Sequence, residues 1–297
     1  MTRWRTGGSL SGGLLGQLQS GAWLVLLLAQ LSACGGAPGG GTTASSSSSS
    51  GSTSSSGRPW ARGLNDTGIH SCQGASGFVD CSAAPWQDAQ QGRDAVAQAG
   101  LLAKQGAGPL GFDFTKLDNT GRPLVLQNLA WQQGSSEASG KTWSCVLDNH
   151  TGLVWEVKQD DPSSPRHYQH KFSWYQTDYR RNGGEPGSPG APECGTIACD
   201  TQAYINALNA LQLCGQSHWR LPSIGELMSI VWGGRAIKAI DEGYFANSPG
   251  TQYWTGQSYA PNNLHAWYLY LGDGSLGNQQ KSSRFYVRLV ADLEKPQ

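Results

Sequence analysis

The sequence predicts a disulfide-stapled α+β domain that follows an export signal and a flexible tether. Three observations lead to this prediction. Six cysteines remain beyond the one that ends an apolar leader, two capped helices are expected between residues 200 and 230, and aromatic-rich strands follow residue 250. Helices and strands that succeed one another in separate runs are typical of the α+β class.

The composition argues against a nucleic-acid-binding surface. The chain has 297 residues, with 21 Lys and Arg against 21 Asp and Glu, so its formal net charge is zero. Domains that bind nucleic acids usually carry a basic patch and a basic balance. The low charged fraction of 14%, with 41 glycines and 12 tryptophans, favours a loop-rich domain outside the cytoplasm. We therefore expect no nucleic-acid partner.

The N-terminus has the pattern of a bacterial lipoprotein signal. Two arginines precede the apolar run 22–29, which is shorter than the roughly 20 residues that a membrane-spanning helix needs. The run leads into residues 31–34 (LSAC), which resemble a lipobox, the motif whose cysteine receives the lipid. We predict a signal peptide over 1–33, lipidation of Cys34 and a place in the outer membrane, facing the periplasm or the exterior. The alternative is an ordinary signal peptide followed by a free cysteine.

Residues 34–57 are predicted to be a disordered tether. The segment after Cys34 consists mainly of Gly, Ser and Thr and carries no charge. Such a composition buries too little apolar surface to offset the conformational entropy lost on folding. The tether joins the lipid anchor to a small Gly-rich subdomain (58–140) and a C-terminal domain (141–297). The membrane, reached through this anchor, is the first partner that we expect.

The remaining cysteines are predicted to form three disulfides. Seven cysteines less Cys34 leave six, and an even set in an exported chain indicates a disulfide framework with 15 conceivable pairings. The spacing favours two short loops and one long-range bridge, namely Cys72–Cys81, Cys194–Cys199 and Cys145–Cys214. A metal site of cysteines with His167 and His170 is the alternative, but the paired CxxC spacing of zinc sites is missing. We expect no metal and no cofactor.

The periodicity of the chain predicts few but well-delimited helices. A short helix is expected within 88–104, where two glycines weaken it. Asp200 is placed to cap a helix over 201–213. Ser223 and Glu226 form an S-x-x-E capping box, so a second C-terminal helix is expected to begin at Ser223.

Alternating and aromatic segments predict the strands. One strand is expected at 112–115 and another at 153–157, each next to a turn that contains glycine. After residue 250 the pattern becomes that of β-structure, with strands at 266–271 and 284–290. The turn-rich residues 272–278 join these two strands, so we expect antiparallel hairpins.

Several short motifs resemble, in order and spacing, those of the Lcl C-terminal domain family over about residues 141–291. They are TGLVWE (151–156), WRLPS (219–223), EL (226–227), YWT (253–255), AW (266–267), DG (273–274) and YVRLV (286–290). The resemblance implies a fold related to C-type lectins and to the formylglycine-generating enzyme. It also implies adhesion, because the family is named for a collagen-like adhesin whose trimeric domain binds sulfated glycosaminoglycans. No Gly-X-Y repeat precedes the domain in this chain, and a homo-oligomer is left open.

The hairpins of 252–286 form the candidate binding surface. Aromatic rings offer contact area at low entropic cost, and amide side chains offer adaptable hydrogen bonds. Strand side chains alternate, so about half of these residues face the core; if Trp267 and Leu269 share the inner face, Tyr268 and Tyr270 lie outside. The predicted ligand-binding residues are Tyr253, Trp254, Gln257, Tyr259, Asn262, Asn263, His265, Tyr268, Tyr270, Asn278, Gln279, Lys281 and Arg284.

The leading functional hypothesis is a membrane-tethered binding protein without catalytic residues. Its expected ligand is a polysaccharide, a glycosaminoglycan or a cell-surface protein. An oxidase like the formylglycine-generating enzyme needs thiols near its C-terminal core, and no cysteine follows Cys214. A calcium-dependent lectin would need converging oxygen ligands and the EPN or QPD triplet, which the sequence lacks. The remaining alternatives are a structural envelope lipoprotein and a hypervariable display protein of the kind that diversity-generating retroelements modify.

Overall fold

The computed structural model describes residues 63–235 and 237–293. The predicted signal peptide, Cys34 and the tether lie outside these residues. Within the described residues, no helix has the length and apolar character needed to cross a membrane. The described α-helices are short: α1 (Gly92–Gln98), α2 (Thr201–Leu211) and α3 (Ile224–Met228). Most of the regular structure is therefore antiparallel sheet.

A four-stranded antiparallel sheet contains β3 (Phe114–Leu117), β4 (Cys145–Asp148), β5 (Leu153–Glu156) and β11 (Val290–Asp292), in the order β11-β5-β4-β3. Every residue of β5 is buried, because the strand has a neighbour on each side and core on both faces. This strand confirms the prediction for 153–157 to within one residue. The predicted subdomain supplies β3, so the sheet crosses the boundary placed at residue 140.

The turn between β4 and β5 is organised by a buried carboxylate. Asp148 Oδ1 accepts hydrogen bonds from the backbone N–H groups of His150 (3.0 Å) and Thr151 (3.3 Å). Its Oδ2 accepts from the Asn65 side chain, which ties the start of the described chain to the sheet. Burial raises the pKa of Asp148 to about 6 and outweighs the opposing effect of these hydrogen bonds.

A second, three-stranded sheet contains β7 (Gln252–Ser258), β8 (His265–Tyr270) and β9 (Ser275–Gln280) in that order. The predicted strand at 266–271 is thus confirmed as β8. The single strand predicted at 284–290 is wrong, because the chain divides there into β10 (Arg284–Phe285), which pairs with β6 (Phe172–Ser173), and β11. Between them Arg288 turns inward and donates to the carbonyl oxygen of Glu156 (2.5 Å).

The helix ends follow the capping chemistry of the sequence. Asp200 Oδ1 accepts from the Ala203 N–H (2.8 Å) at the start of α2. The helix stops two residues earlier than predicted because Gln212 adopts a left-handed conformation, with φ of 46°. At α3 the capping box of Ser223 and Glu226 forms as predicted.

Three disulfides form with the predicted pairing. They are Cys72–Cys81, Cys145–Cys214 and Cys194–Cys199. The first closes a small hairpin of β1 (Cys72–Gly74) and β2 (Gly77–Val79), and the second joins β4 to the chain beyond α2. The prediction of a disulfide-stapled α+β fold is confirmed. In the chain-entropy account, a bridge that spans 69 residues stabilises the fold by roughly 4 kcal/mol.

Two apolar clusters meet at β5. Val154 belongs to the cluster that contains α2 and the Cys145–Cys214 bridge, whereas Trp155 belongs to the cluster that contains Phe114. Alternation along the strand therefore sends successive side chains into different cores. The sheet is the layer that both clusters share.

Replacing Asp148 with asparagine should change how stability depends on pH. The pKa of this carboxyl is about 6 in the folded protein against 3.8 in the reference state, so the folded state binds more protons between these values. Asp148 therefore lowers the free energy of unfolding as pH rises through this range, by about 3 kcal/mol for roughly two pH units. In urea titrations, the stability of Asp148→Asn relative to the wild type should rise by about 2–3 kcal/mol between about pH 4 and about pH 7. An unchanged difference would contradict this assignment.

Candidate functional site

The strands of the three-stranded sheet place alternate side chains on its two faces. His265, Trp267 and Leu269 lie on one face of β8, and Asn278 of β9 stands opposite Trp267. Leu269 is buried in the same cluster as Leu227 of α3. Trp267 and His265 lie further along the strand and are only half-buried. The face is thus core at one end and surface at the other.

Four half-buried side chains, Tyr259, His265, Trp267 and Asn278, form what we call the hairpin patch. The rings of Tyr259 and Trp267 meet edge to face, with 5.0 Å between centroids. His265 lies 6.5 Å from Tyr259 by the same measure, and its Nδ1 is 2.9 Å from Asn278 Oδ1. Because an amide oxygen only accepts, Nδ1 carries the proton in this pair. The patch combines aromatic surface with oriented polar groups.

The loop between β7 and β8 borders the hairpin patch. Asn262 and Asn263 are exposed there. The Asn262 side chain accepts from the Leu264 N–H (3.2 Å), and its backbone carbonyl accepts from the His265 N–H (3.0 Å). Asn263 Nδ2 donates to the Gly183 carbonyl at 3.4 Å. These contacts hold two exposed amide side chains beside the aromatic pair.

Tyr268, Tyr270 and Gln279 lie on the opposite face of the sheet. The Tyr268 ring packs on Phe285 (5.1 Å between centroids) and also covers Gly277, where a Cβ atom would come within 2.4 Å of the ring. Tyr268 and Tyr270 are half-buried, whereas Gln279 is exposed. Alternation holds, but the expectation that Tyr268 lies outside is wrong, because its ring packs against the cluster that contains Trp254. This face is separate from the hairpin patch.

Two other predicted residues, Gln257 and Arg284, are exposed and engaged in structural contacts. Gln257 Oε1 accepts from the backbone N–H of Ile224 (2.7 Å) at the start of α3. Arg284 forms an ion pair with Glu193 (2.8 Å). Neither side chain belongs to the hairpin patch.

The structure corrects three of the predicted ligand-binding residues, because Tyr253, Trp254 and Lys281 are buried. Trp254 donates from Nε1 to the Phe172 carbonyl (2.8 Å), and Tyr253 packs against Tyr286 (5.6 Å between centroids). Both faces of β7 are covered by core, so alternation exposes neither ring.

Lys281 is buried and makes structural contacts instead of facing a ligand. Its ammonium group donates to the carbonyl oxygens of Asn182 (2.9 Å) and Glu185 (2.6 Å) and lies over the ring of Trp174. Burial lowers the pKa of Lys281 to about 8. Lys281 therefore anchors the loop that contains Gly183, the hydrogen-bond partner of Asn263.

Two arrangements of potential metal ligands have structural explanations. The six described cysteines all form disulfides, so none can supply a thiolate beside His167 and His170. Three carboxylates, Asp66, Asp88 and Asp94, come within 4.8 Å of one another. Asp94 accepts from two backbone N–H groups and its own N–H donates to Asp66, so these carboxylates fasten the chain before β3.

The comparison with protein families concerns the segment that contains the hairpin patch. The family model of the Lcl C-terminal domain matches residues 144–291. This segment belongs to the Lcl C-terminal domain family. The match includes β4 to β10, α2, α3 and most of β11, and it confirms the resemblance of the motifs. No curated protein and no solved structure matches the chain.

The sequence did not reveal that Trp267 of this Lcl C-terminal domain is only half-buried. Alternation correctly places it on the face of Leu269, but it does not show where along the strand the core ends. No local pattern distinguishes the two residues, since each is a large apolar side chain in the same strand. The packing of α3 and the rest of this core cluster against the sheet decides which of them is covered.

Replacing Trp254 with alanine should destabilise the Lcl C-terminal domain by about 3–5 kcal/mol, because it leaves a large cavity and removes the hydrogen bond to the Phe172 carbonyl. Chemical denaturation would measure the loss. Gln279→Ala on the exposed edge strand is the control and should change the unfolding free energy by less than about 0.5 kcal/mol. Equal effects of the two substitutions would contradict the burial of Trp254.

Proposed function

We propose that the chain is a membrane-tethered lipoprotein without enzymatic activity, and that its Lcl C-terminal domain binds a glycan or a protein on a cell surface. The observation that carries this proposal is the half-exposed Tyr259–Trp267 pair beside the polar pair His265–Asn278. Aromatic rings stack on the apolar faces of sugars and on apolar side chains, and the polar pair fixes orientation. The family membership supports adhesion as the role.

The hairpin patch is preorganised, and this supports binding. The Tyr259 and Trp267 rings pack edge to face, His265 Nδ1 bonds to Asn278 on the neighbouring strand, and Lys281 fixes the loop beside Asn263. A surface that is ordered before binding loses less conformational entropy when the ligand arrives. We further propose that the domain has a C-type-lectin-like fold, on the basis of two helices, paired hairpins and the family motifs.

The lipoprotein part of the proposal rests on the leader sequence. If Cys34 is lipidated, cells grown with labelled palmitate should incorporate the label into the wild type and lose it in Cys34→Ser. The labelled protein should also sediment with membranes, whereas the variant should be released in soluble form. Labelling that persists in Cys34→Ser would contradict the anchor.

Replacing Trp267 with alanine should weaken ligand binding by about tenfold or more, because the ring supplies much of the exposed apolar area of the hairpin patch. The probe is a glycan array that carries neutral and sulfated saccharides, supplemented by whole cells. It is screened with the exported chain that carries Cys34→Ser. Gln279→Ala, on the other face of the hairpin, is the matched control and should bind like the parent protein. Binding that Trp267→Ala leaves intact would refute the patch, and loss in both variants would indicate unfolding, which circular dichroism would detect.

A further inference from the structure

A cleft of about 630 Å³ lies away from the hairpin patch, between the loops 131–137 and 159–166. Ligand sites for small molecules commonly have volumes of roughly 300–1,000 Å³, and one or two sugar rings fit such a space. Gln133 Nε2 donates to the backbone carbonyl of Asp160 (3.0 Å), so the two loops that form the walls are joined. The walls of the cleft are therefore held at a set separation.

The apolar side of the cleft contains Trp131, together with Leu211 at the end of α2. The Trp131 ring packs edge to face on Trp143, with 5.0 Å between centroids. Trp143 is itself immobilised, since its Nε1 donates to the Tyr244 carbonyl (2.7 Å) and the ammonium of Lys116 lies 3.9 Å from its ring centroid. Trp131 is thus a half-buried ring on a fixed support, which suits stacking against the C–H face of a sugar.

The polar side of the cleft is rich in planar groups. Amide and carboxylate side chains can each make two hydrogen bonds in one plane, which matches the neighbouring hydroxyl groups of a sugar ring. Those that line the cleft are Asn119, Glu137, Gln159, Asp160 and Asp161. The Gln133 amide also lines it but is already engaged, since its Oε1 accepts from Trp131 Nε1 (3.3 Å) and its Nε2 donates to the Asp160 carbonyl (3.0 Å). Several serine and threonine hydroxyl groups lie among them, so hydroxyl-bearing ligands find both donors and acceptors.

The charges of the cleft disfavour anionic ligands. Arg166 is the one basic side chain among the described residues that line it, against three carboxylates. Only 5% of Arg166 is exposed, and one guanidinium nitrogen donates to the carbonyl oxygens of Ser144 (2.9 Å) and Val157 (2.5 Å). A sulfate or uronic acid group would therefore meet net negative charge and an arginine already engaged by the backbone.

We propose that this cleft is a binding site for a neutral saccharide of one or two units, with Trp131 as its stacking platform. One wall, from Asn119 to Trp143, precedes the segment that matches the Lcl C-terminal domain family. The site is therefore a property of this chain rather than of the family segment. It does not depend on the hairpin patch.

The test uses the exported chain with Cys34→Ser and four probes at millimolar concentration. Three are neutral, namely cellobiose, maltose and N,N′-diacetylchitobiose, and one is a sulfated heparin disaccharide. In saturation-transfer NMR, at least one neutral disaccharide should receive magnetisation from the protein. Trp131→Ala should weaken that binding about tenfold or more. Trp86→Ala is the matched control, because Trp86 is 87% exposed and lies outside the cleft, and it should bind like the parent protein.

A second variant protects the test against unfolding. Gln133 is exposed, so Gln133→Ala should keep the fold, shown by circular dichroism. It should weaken saccharide binding several-fold, because it removes the amide oxygen that accepts from Trp131 Nε1 and the bond that joins the two loops. The proposal is overturned if none of the neutral disaccharides binds, if both cleft variants bind normally, or if the heparin disaccharide binds best. Binding that is lost in Trp267→Ala but retained in Trp131→Ala would assign the saccharide to the hairpin patch and would also overturn it.

Discussion

The buried carboxylate of Glu156 is the constraint on which the rest of the domain depends. It lies at the end of β5 without solvent exposure and accepts from Lys158 Nζ (2.9 Å), the Leu289 N–H (2.8 Å) and the Tyr204 hydroxyl. An isolated carboxylate in such a position would be prohibitively costly, so each of these donors must be in place when the chain folds. Because the donors come from just after β5, from α2 and from the segment before β11, one side chain ties together three parts of the sequence.

Arg288 completes this buried arrangement and explains the path of the last strands. Its guanidinium donates to the Glu156 carbonyl and to Ser248 Oγ (2.6 Å), which requires the chain to turn inward between β10 and β11. The turn lets β10 continue beside the hairpin while β11 joins the four-stranded sheet. Burial lowers the pKa of Lys158 to about 8, although Glu156 opposes the change, so the interior accommodates this cation at a cost. Through Ser248, the buried Arg288 guanidinium also holds the segment that leads into β7.

Much of the fold could be predicted from local chemistry. Which side chains of the candidate site are buried could not be predicted. The capping groups Asp200 and Ser223 act within a few residues of themselves, and disulfide pairing followed loop length. Lys281 is the opposite case. A lysine in a polar segment is expected to be solvated, but in the folded protein two carbonyl groups and the Trp174 ring surround its ammonium group. From the sequence, Trp254 likewise looks like an exposed aromatic residue of a strand. In the structure, core residues cover both faces of β7. Alternation within one strand predicts which side chains share a face, but the packing of other elements decides which face is covered.

The folded domain extends beyond the segment that the family model matches. The residues before 144 supply β3, which pairs with β4 along its length, and they contribute Phe112 and Phe114 to the cluster around Trp155. Without β3, the ladder groups of β4 on that side would be left unpaired at an open edge, a situation that natural sheets avoid. The hydrogen bond from Asn65 to Asp148 adds a further tie, since it satisfies a carboxylate that the family segment alone would bury with one partner fewer. The segment before residue 144 therefore contributes to the domain's core through β3, Phe112 and Phe114, and the proposed cleft lies where this segment meets the family segment.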